Sequence, residues 1–579
     1  MTTVSCEPGV PDCEFDNSDL ISIGVCSSYN GKFQDPSDMA WLIPLAAIFM
    51  CTNAFGVGAN DVANAWGTSV ASGAISLRKA CLIAGFANIL GAVTLGYGVS
   101  DAIQRGVADV EEPDCWGCGY CNSRMSLYAV GMFGALVGSS AFLLVATFGS
   151  APVSGTHAVI GGVVGMTIAG TSGNCLVWNL SGLGGIILSW VLSPIVAGII
   201  GASLYIATEK YIIEAPNPKE RALTFMPFFI ALSSFILMFL ILLKSKATAK
   251  VFPIWGHFLL SLVAGAIAYC AGFILRDRYV RGRLPSDMQK ANNRGGGTGG
   301  NYANRHSNHS EAAGDEPSHS IEMDSKIELA ESEDFAEIGG SGRQEGGHGR
   351  DEEQDPSSTV ELAGGGQGMS RGGKTTDEAK DNKSREGALD STVEGEHDMK
   401  LMQDPEKKDA ITVFKYLIVF NAALESFAHG SNDTGNATAP FSAVFNTVNE
   451  GIHSCKSPET PEWALFVAGC CVAIGVNTFG YRVMTTVGKR ITIVNFHRGF
   501  CMEFASTAAV VIATLLRMPV STTHCQIGAV VAVGLAAFGW KQVHFGVVGQ
   551  IVLSWIITLP FAGLFAAMMV AIIKPGITN

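Results

Sequence analysis

Gly58–Ala65 reads GANDVANA, and Gly430–Ala437 reads GSNDTGNA. Each is followed far downstream by a second matched motif, PVSGTH at Pro152–His157 and PVSTTH at Pro519–His524. Asp61 and His157 are 96 positions apart, and Asp433 and His524 are 91 apart. Two motifs recurring in the same order at nearly the same spacing, in otherwise apolar sequence, mark an internal duplication that places small polar groups inside a membrane protein. Polar groups at that depth are expensive unless they serve a purpose, so a transported solute is expected to sit among them.

Composition points to the same class. The chain has 579 residues, 48% of them hydrophobic and only 15% charged, with a mean hydropathy of +0.30, which is too apolar for an ordinary soluble protein. The net charge of −13 lies largely in one polar segment and gives no reason to expect a nucleic-acid partner. Crossing a ~30 Å hydrocarbon core takes ~20 apolar residues. Runs of that kind fall at about 40–58, 80–100, 126–148, 155–171, 183–207, 225–243 and 252–275, then at about 411–429, 463–487, 495–516, 519–538 and 546–573. The expectation is an all-α polytopic membrane protein of about twelve spans. The 155–171 run, weakened by Gly155, Gly161, Gly162, Gly165 and Gly170, reads as re-entrant instead of spanning. An acidic tail with no basic n-region precedes the first run, which argues against a cleavable signal peptide.

The parts are then an N-terminal tail over 1–39, a first membrane half over 40–275, a linker over 276–410 and a second membrane half over 411–579. The linker is rich in Gly, Asn, Ser, Asp and Glu and cannot bury enough apolar area to offset its ordering entropy, so it reads as disordered. It opens with RDRYVRGR at Arg276–Arg283, a basic cluster that places 276–410 in the cytosol. Seven spans before a cytosolic loop put the N-terminus outside, and the C-terminus as well, in a plasma-membrane protein. The loops with Arg78 and Lys79 and with Lys489 and Arg490 fall inside, and the acidic loop Asp101–Arg124 falls outside. Cys115, Cys118 and Cys121 lie in that outer loop, Cys6, Cys13 and Cys26 in the outer tail and Cys455 in another outer loop, where disulfides persist. The Cys-x-x-Cys-x-x-Cys spacing also fits metal ligands but lacks a fourth. Asn179–Leu180–Ser181 is a glycosylation acceptor on an outer loop.

An odd number of spans between equivalent points inverts the second copy, so the duplication reads as an inverted-topology repeat, with interrupted helices at a midplane site. Pro152 and Pro519 each precede a small-hydroxyl cluster and a Gly-bearing helix, whose first backbone N–H groups are available to an anion. Ser154, Thr156, Ser521, Thr522 and Thr523 donate to tetrahedral oxyanions, and Asn60, Asn64, Asn432 and Asn436 donate or accept. Without a fixed Arg clamp the site binds through many modest contacts, as release on the far side requires. Asp61 and Asp433 are hard oxygen ligands suited to Na⁺ or a proton. Against this, Asn and Asp serve elsewhere as helix–helix glue, His157 and His524 are as well explained by structural bonds as by a role in the site, and Glu503 has Arg498 nearby as a partner. No nucleophile paired with a base is visible, so an enzyme is not expected.

GANDVANAWGTSVASGAISLRKA from Gly58, PVSGTH, FAHGSNDTGNA from Phe427 and PVSTTH together resemble the inorganic phosphate transporter (PiT) family, the sodium-dependent phosphate symporters. The likeness covers both membrane halves and leaves out the linker. It implies a twelve-span inverted repeat that holds phosphate on the Asn-Asp motifs and on Ser154, Gly155, Thr156, Ser521, Thr522 and Thr523. It also implies Na⁺ beside the phosphate on Asp61 and Asp433, with Glu503 as a further metal ligand. No resident cofactor is expected. The partners are phosphate, Na⁺ and the lipid bilayer, and a homodimer and cytosolic regulators of the linker are compatible with the chain. Animal members carry a glutamate in the second span of each half; Glu503 is one, whereas the first-half position reads Asn88, which leaves H⁺ as the alternative coupling ion. A phosphate receptor signalling through the linker, or an ion channel, are the other readings.

Overall fold

The structure, a computed structural model, describes residues 32–96, 103–104, 106–112, 114–118, 123–180, 182–244, 251–287, 401–451, 460–515, 520–540 and 543–578. Most of the linker, Pro519, Ser181 and the cysteines Cys6, Cys13, Cys26, Cys121 and Cys455 lie outside them. Helices α1 to α7 are Leu42–Ala71, Leu77–Leu95, Met125–Phe148, Gly155–Gly170, Leu183–Thr208, Pro218–Lys244 and Ile254–Leu275. Helices α8 to α13 are Pro405–Glu450, Glu462–Thr478, Gly480–Lys489, Phe496–Leu515, Thr522–Phe538 and Phe545–Ile573.

Among the described residues, eight helices are long and apolar enough to cross a membrane, or nine when the bent pair α9–α10 counts as one. Three of the twelve runs seen in sequence differ from this for physical reasons. Helices α4 and α12 have 16 and 17 residues, which at 1.5 Å per residue is ~25 Å, short of the hydrocarbon core. The 463–487 run bends by 62° between α9 and α10. The run at 411–429 lies within a 46-residue helix that begins at Pro405 behind the Asp404 cap, so the helix starts inside the stretch read as linker. At the linker's other end, Arg276–Val280 and Arg281–Arg283 continue α7 as two further helical turns.

Contacts reveal how the halves correspond. Helix α4 packs on α13 and α12 packs on α5; α1 packs on α9 and α8 packs on α2. Each half therefore gives its matching element to the other half, with α1–α5 answering to α8–α13 and α6–α7 as an extra pair. The leading glycine of each signature sits at one of these crossings. A Cβ at Gly58 would stand 2.0 Å from the Val472 carbonyl oxygen, and one at Gly430 would stand 2.2 Å from that of Asn88. Only glycine allows such backbone approach between helices.

This exchange corrects one pairing. Asn88 takes the place in α2 that Val472 takes in α9, and its amide donates to Ala84 O at 2.8 Å within its own helix. Glu503 lies on α11, whose partner is α3, and precedes Ser521 by the 18 positions that separate Leu136 from Ser154. By packing and by spacing, Asn88 is therefore not the first-half counterpart of Glu503, whose place falls at Leu136.

The first and last described stretches meet on one face. Gln34 N–H donates to Ile577 O at 2.7 Å beside a bridge between Phe33 and Thr578. Cys115 and Cys175 form a disulfide between the loops before α3 and after α4, so both loops share a side. Cys118 is disulfide-bonded too. Cys115 and Cys118 therefore have no thiolate to offer a metal. Asn179, in the loop that carries Cys175, is exposed.

Candidate functional site

Ser154 and Ser521 are the N-caps of α4 and α12, their hydroxyls accepting from the N–H groups of His157 and His524 at 3.3 and 3.4 Å. Capping satisfies an orphan donor of each first turn. Each hydroxyl spends an acceptor lone pair on its helix start and keeps its O–H as a donor. The next residues cross between halves. Asn64 Nδ2 donates to Thr523 Oγ1 at 3.1 Å, and Asn436 Nδ2 donates to Thr156 Oγ1 at 3.1 Å. Asn64 and Asn436 are equivalent in the signatures, as are Thr156 and Thr523 in the second motif, so one bond is made twice in opposite senses. Thr523 also donates to Val153 O at 3.2 Å.

Around the first aspartate, the backbone is the main partner. Gly155 N–H donates to Asp61 Oδ2 at 2.9 Å, and Val153 N–H donates to Asn60 Oδ1 at 2.9 Å. Asn60 Nδ2 donates to Ala151 O and to Thr147 Oγ1 at 3.0 and 3.2 Å, so this side chain pins the strand-like entry to α4. The amides at the start of α4 that sequence offered to an anion are in these two cases spent on the first signature. GANDV itself forms a π-helical turn inside α1, a local widening that occurs often at functional sites.

Around the second aspartate, side chains dominate. His429 Nδ1 lies 2.5 Å from Asp433 Oδ2, which also accepts from Thr522 Oγ1 at 3.3 Å. His429 Nε2 is 3.7 Å from Glu425 Oε1, which accepts from Ser506 Oγ at 3.0 Å. Glu503 accepts from Thr68 Oγ1 across the halves. A small cavity bordered by Glu425, His429, Thr507 and Thr522 adjoins this network. Asn432 is half-buried one position before Asp433.

Several buried oxygens here have no hydrogen-bond partner among the described residues: Asp61 Oδ1, Asn64 Oδ1 and Asn436 Oδ1. All three only accept, and they come from both signatures. A Cβ built on Gly155 would stand 2.7 Å from Asp61 Oδ2 and 3.5 Å from Asn436 Nδ2, so the two halves converge at this residue. Uncompensated buried acceptors are costly, and a hard cation is the partner that suits an all-oxygen set.

His157 and His524 face one another, their ring centroids 4.4 Å apart. His157 lies 4.1 Å from the ring of Trp190, and His524 stacks on Trp555 at 3.7 Å while its Nδ1 approaches Trp190 O at 3.3 Å. Trp555 Nε1 donates to Pro152 O at 3.3 Å. The histidines thus form the seam between halves. Sequence reasoning passed over both tryptophans, although Leu188–Ser189–Trp190 and Leu553–Ser554–Trp555 repeat one tripeptide, and over His429, although it lies inside a quoted motif at i,i+4 from Asp433.

Comparison with known proteins bears on this site. A model of the phosphate transporter family matches residues 57–566. The chain is 27% identical to the phosphate-repressible phosphate permease pho-4 of Neurospora crassa, an alignment covering 92% of this chain and 97% of that one. It is 26% identical to sodium-dependent phosphate transporter 1 of Rattus norvegicus, covering 93% and 96%. A solved structure described as the sodium-dependent phosphate transporter superposes with a TM-score of 0.64 at 25% identity, covering 92% of this chain and 99% of the other. With both signatures and both capped helices inside the matched span, the chain belongs to the phosphate transporter family.

Proposed function

We propose that the chain is a secondary active transporter that brings inorganic phosphate across the plasma membrane together with Na⁺, by alternating access at the seam between its two halves. The observation that carries this reading is the set of unpartnered acceptor oxygens on Asp61, Asn64 and Asn436. Acceptors alone repel an anion. A cation bound to them supplies the positive charge that a phosphate needs in a site without arginine. Phosphate then takes its hydrogen bonds from Thr156, Thr522 and Thr523 hydroxyls and from the Asn64 and Asn436 amides, which exchange their present cross-half bonds for bonds to the ligand. Ser154 and Ser521 contribute by fixing the helix starts, and Asn60 by fixing the entry to α4. Asp433 is the second cation ligand, with Glu503 and Asn432 behind it. The names of the relatives support Na⁺.

Two cations carried with a singly charged phosphate move net positive charge inward, so ~2.3 kcal/mol per charge per 100 mV becomes available. Voltage-clamped cells given phosphate, with Na⁺ exchanged for choline at acid and at alkaline pH, test this. An inward current that disappears in choline is expected. A current that survives choline and grows at acid pH establishes H⁺ coupling instead.

A further inference from the structure

The two ends of the segment 288–400 are tied to one lysine. Lys219, at the start of α6, lies 2.8 Å from Asp287 Oδ2 and 3.1 Å from Asp409 Oδ2, and it donates to Ser286 Oγ at 3.1 Å. The Ser286 hydroxyl in turn donates to Asp409 Oδ2, and its N–H donates to Asp409 Oδ1 at 3.2 Å. Asp409 is 1% exposed. One cation therefore serves two carboxylates, and a serine hydroxyl closes the arrangement between α6, the end of α7 and the start of α8.

The approach to that serine is basic and open. Arg281 and Arg283 stand five and three positions before Ser286 and are exposed. Arg281 meets Glu220 at 2.9 Å on the surface, Arg283 lies over the Tyr279 ring at 4.5 Å, and a Cβ at Gly282 would meet nothing within 4 Å. Arginines at these two positions are what the acidic grooves of basophilic protein kinases bind. The turn is held by these polar contacts and by the buried side chain of Leu284, and the serine becomes reachable when the chain end opens locally.

We propose that Ser286 is a phosphorylation site whose modification unties the two ends of the 288–400 segment from Lys219. This rests on the cytosolic placement of residue 276 onward. A basophilic kinase transfers the γ-phosphoryl group of ATP: the Ser286 Oγ–P bond forms, the bond from phosphorus to the β,γ-bridging oxygen breaks, ADP leaves and the hydroxyl proton goes to the kinase's base. The phosphoserine brings about −1.5 to −2 charges and no donor. It replaces the hydroxyl that donated to Asp409 with oxygens that repel both Asp409 and Asp287, and Lys219 alone cannot neutralise three anionic groups.

The test uses the full-length purified protein, a basophilic kinase and ATP, with phosphate located by mass spectrometry and amide exchange followed before and after. Phosphate on Ser286, absent in Ser286→Ala, is expected, with exchange over 284–287 and over the first turns of α8 rising about tenfold. No modification of the protein while a peptide of residues 279–290 is phosphorylated overturns the proposal, as does modification without faster exchange. Modification in detergent but never in protein isolated from intact cells overturns the cytosolic placement on which it rests.

Discussion

The two aspartates occupy equivalent positions in one duplicated motif yet are held by different means. Asp61 accepts from the backbone of α4 at Gly155. Asp433 accepts from the ring of His429 and the hydroxyl of Thr522. Four residues before Asp61 stands Val57, eight before stands Asn53 and not glutamate, and the position that matches Glu503 is Leu136. What both copies share is the reciprocal Asn–Thr bond and the capped helix start. Duplication has thus preserved the contacts that join the halves and let the carboxylates' surroundings diverge, which separates the frame of the site from its chemistry.

The largest expected effect tests whether the aspartates are equal in function despite that divergence. Asp61→Asn and Asp433→Asn each keep the size and remove the charge. A lost buried charge interaction is worth ~2–5 kcal/mol, so uptake should fall roughly 30-fold or more in either variant while the protein stays in the membrane. Radiolabelled phosphate uptake in cells expressing each variant measures this, and normal Na⁺-driven uptake by one of them would make that carboxylate structural.

Gly155→Ala probes the backbone contact specific to the first copy. The added methyl would lie 2.7 Å from Asp61 Oδ2, and overpacking of this kind costs ~1–3 kcal/mol. Apparent Na⁺ affinity should weaken about tenfold. The matched change Thr522→Ala places no new atom there and should act through the lost hydroxyl alone, at about fivefold. Equal effects from the two would mean that the copies are more alike than their hydrogen bonds indicate.

Asn64→Ala and Asn436→Ala each remove one of the reciprocal bonds, with ~1 kcal/mol at stake. Uptake should fall by about fivefold in both, within a factor of two of one another. Strongly unequal losses in side-by-side transport assays would show that the reciprocal pairs have separate roles. The smallest effect is expected outside the halves altogether. Deleting about Asn292 to His397 should change uptake by less than about twofold, because loop-closure cost varies slowly with length. Loss of uptake by a correctly inserted deletion variant would make the segment part of the transport machinery.

Much of the frame was legible from the chain. A repeated motif pair in apolar surroundings revealed the duplication, and proline followed by small hydroxyls marked the helix starts that Ser154 and Ser521 cap. The contacts between copies were not legible, because Asn64–Thr523 and Asn436–Thr156 join residues hundreds of positions apart with no local signal. The pairing of Asn88 with Glu503 fails on a different ground. By order the 495–516 run that carries Glu503 is the third of its half and answers to 126–148, not to the 80–100 run that carries Asn88, and the Gly58–Val472 and Gly430–Asn88 crossings agree. Helix ends were misjudged where polar residues continue a helix beyond the apolar run, as at Asp404–Ala410 and Arg276–Arg283, since hydropathy reports lipid contact and not hydrogen bonding.

Na⁺-coupled phosphate symport is tested most directly in proteoliposomes that contain only this protein, loaded without phosphate and given an inward Na⁺ gradient with labelled phosphate outside. Phosphate should accumulate above its external concentration and drain when the gradient is collapsed with an ionophore. Uptake that stops at equilibrium, or phosphate binding with no flux, would contradict it.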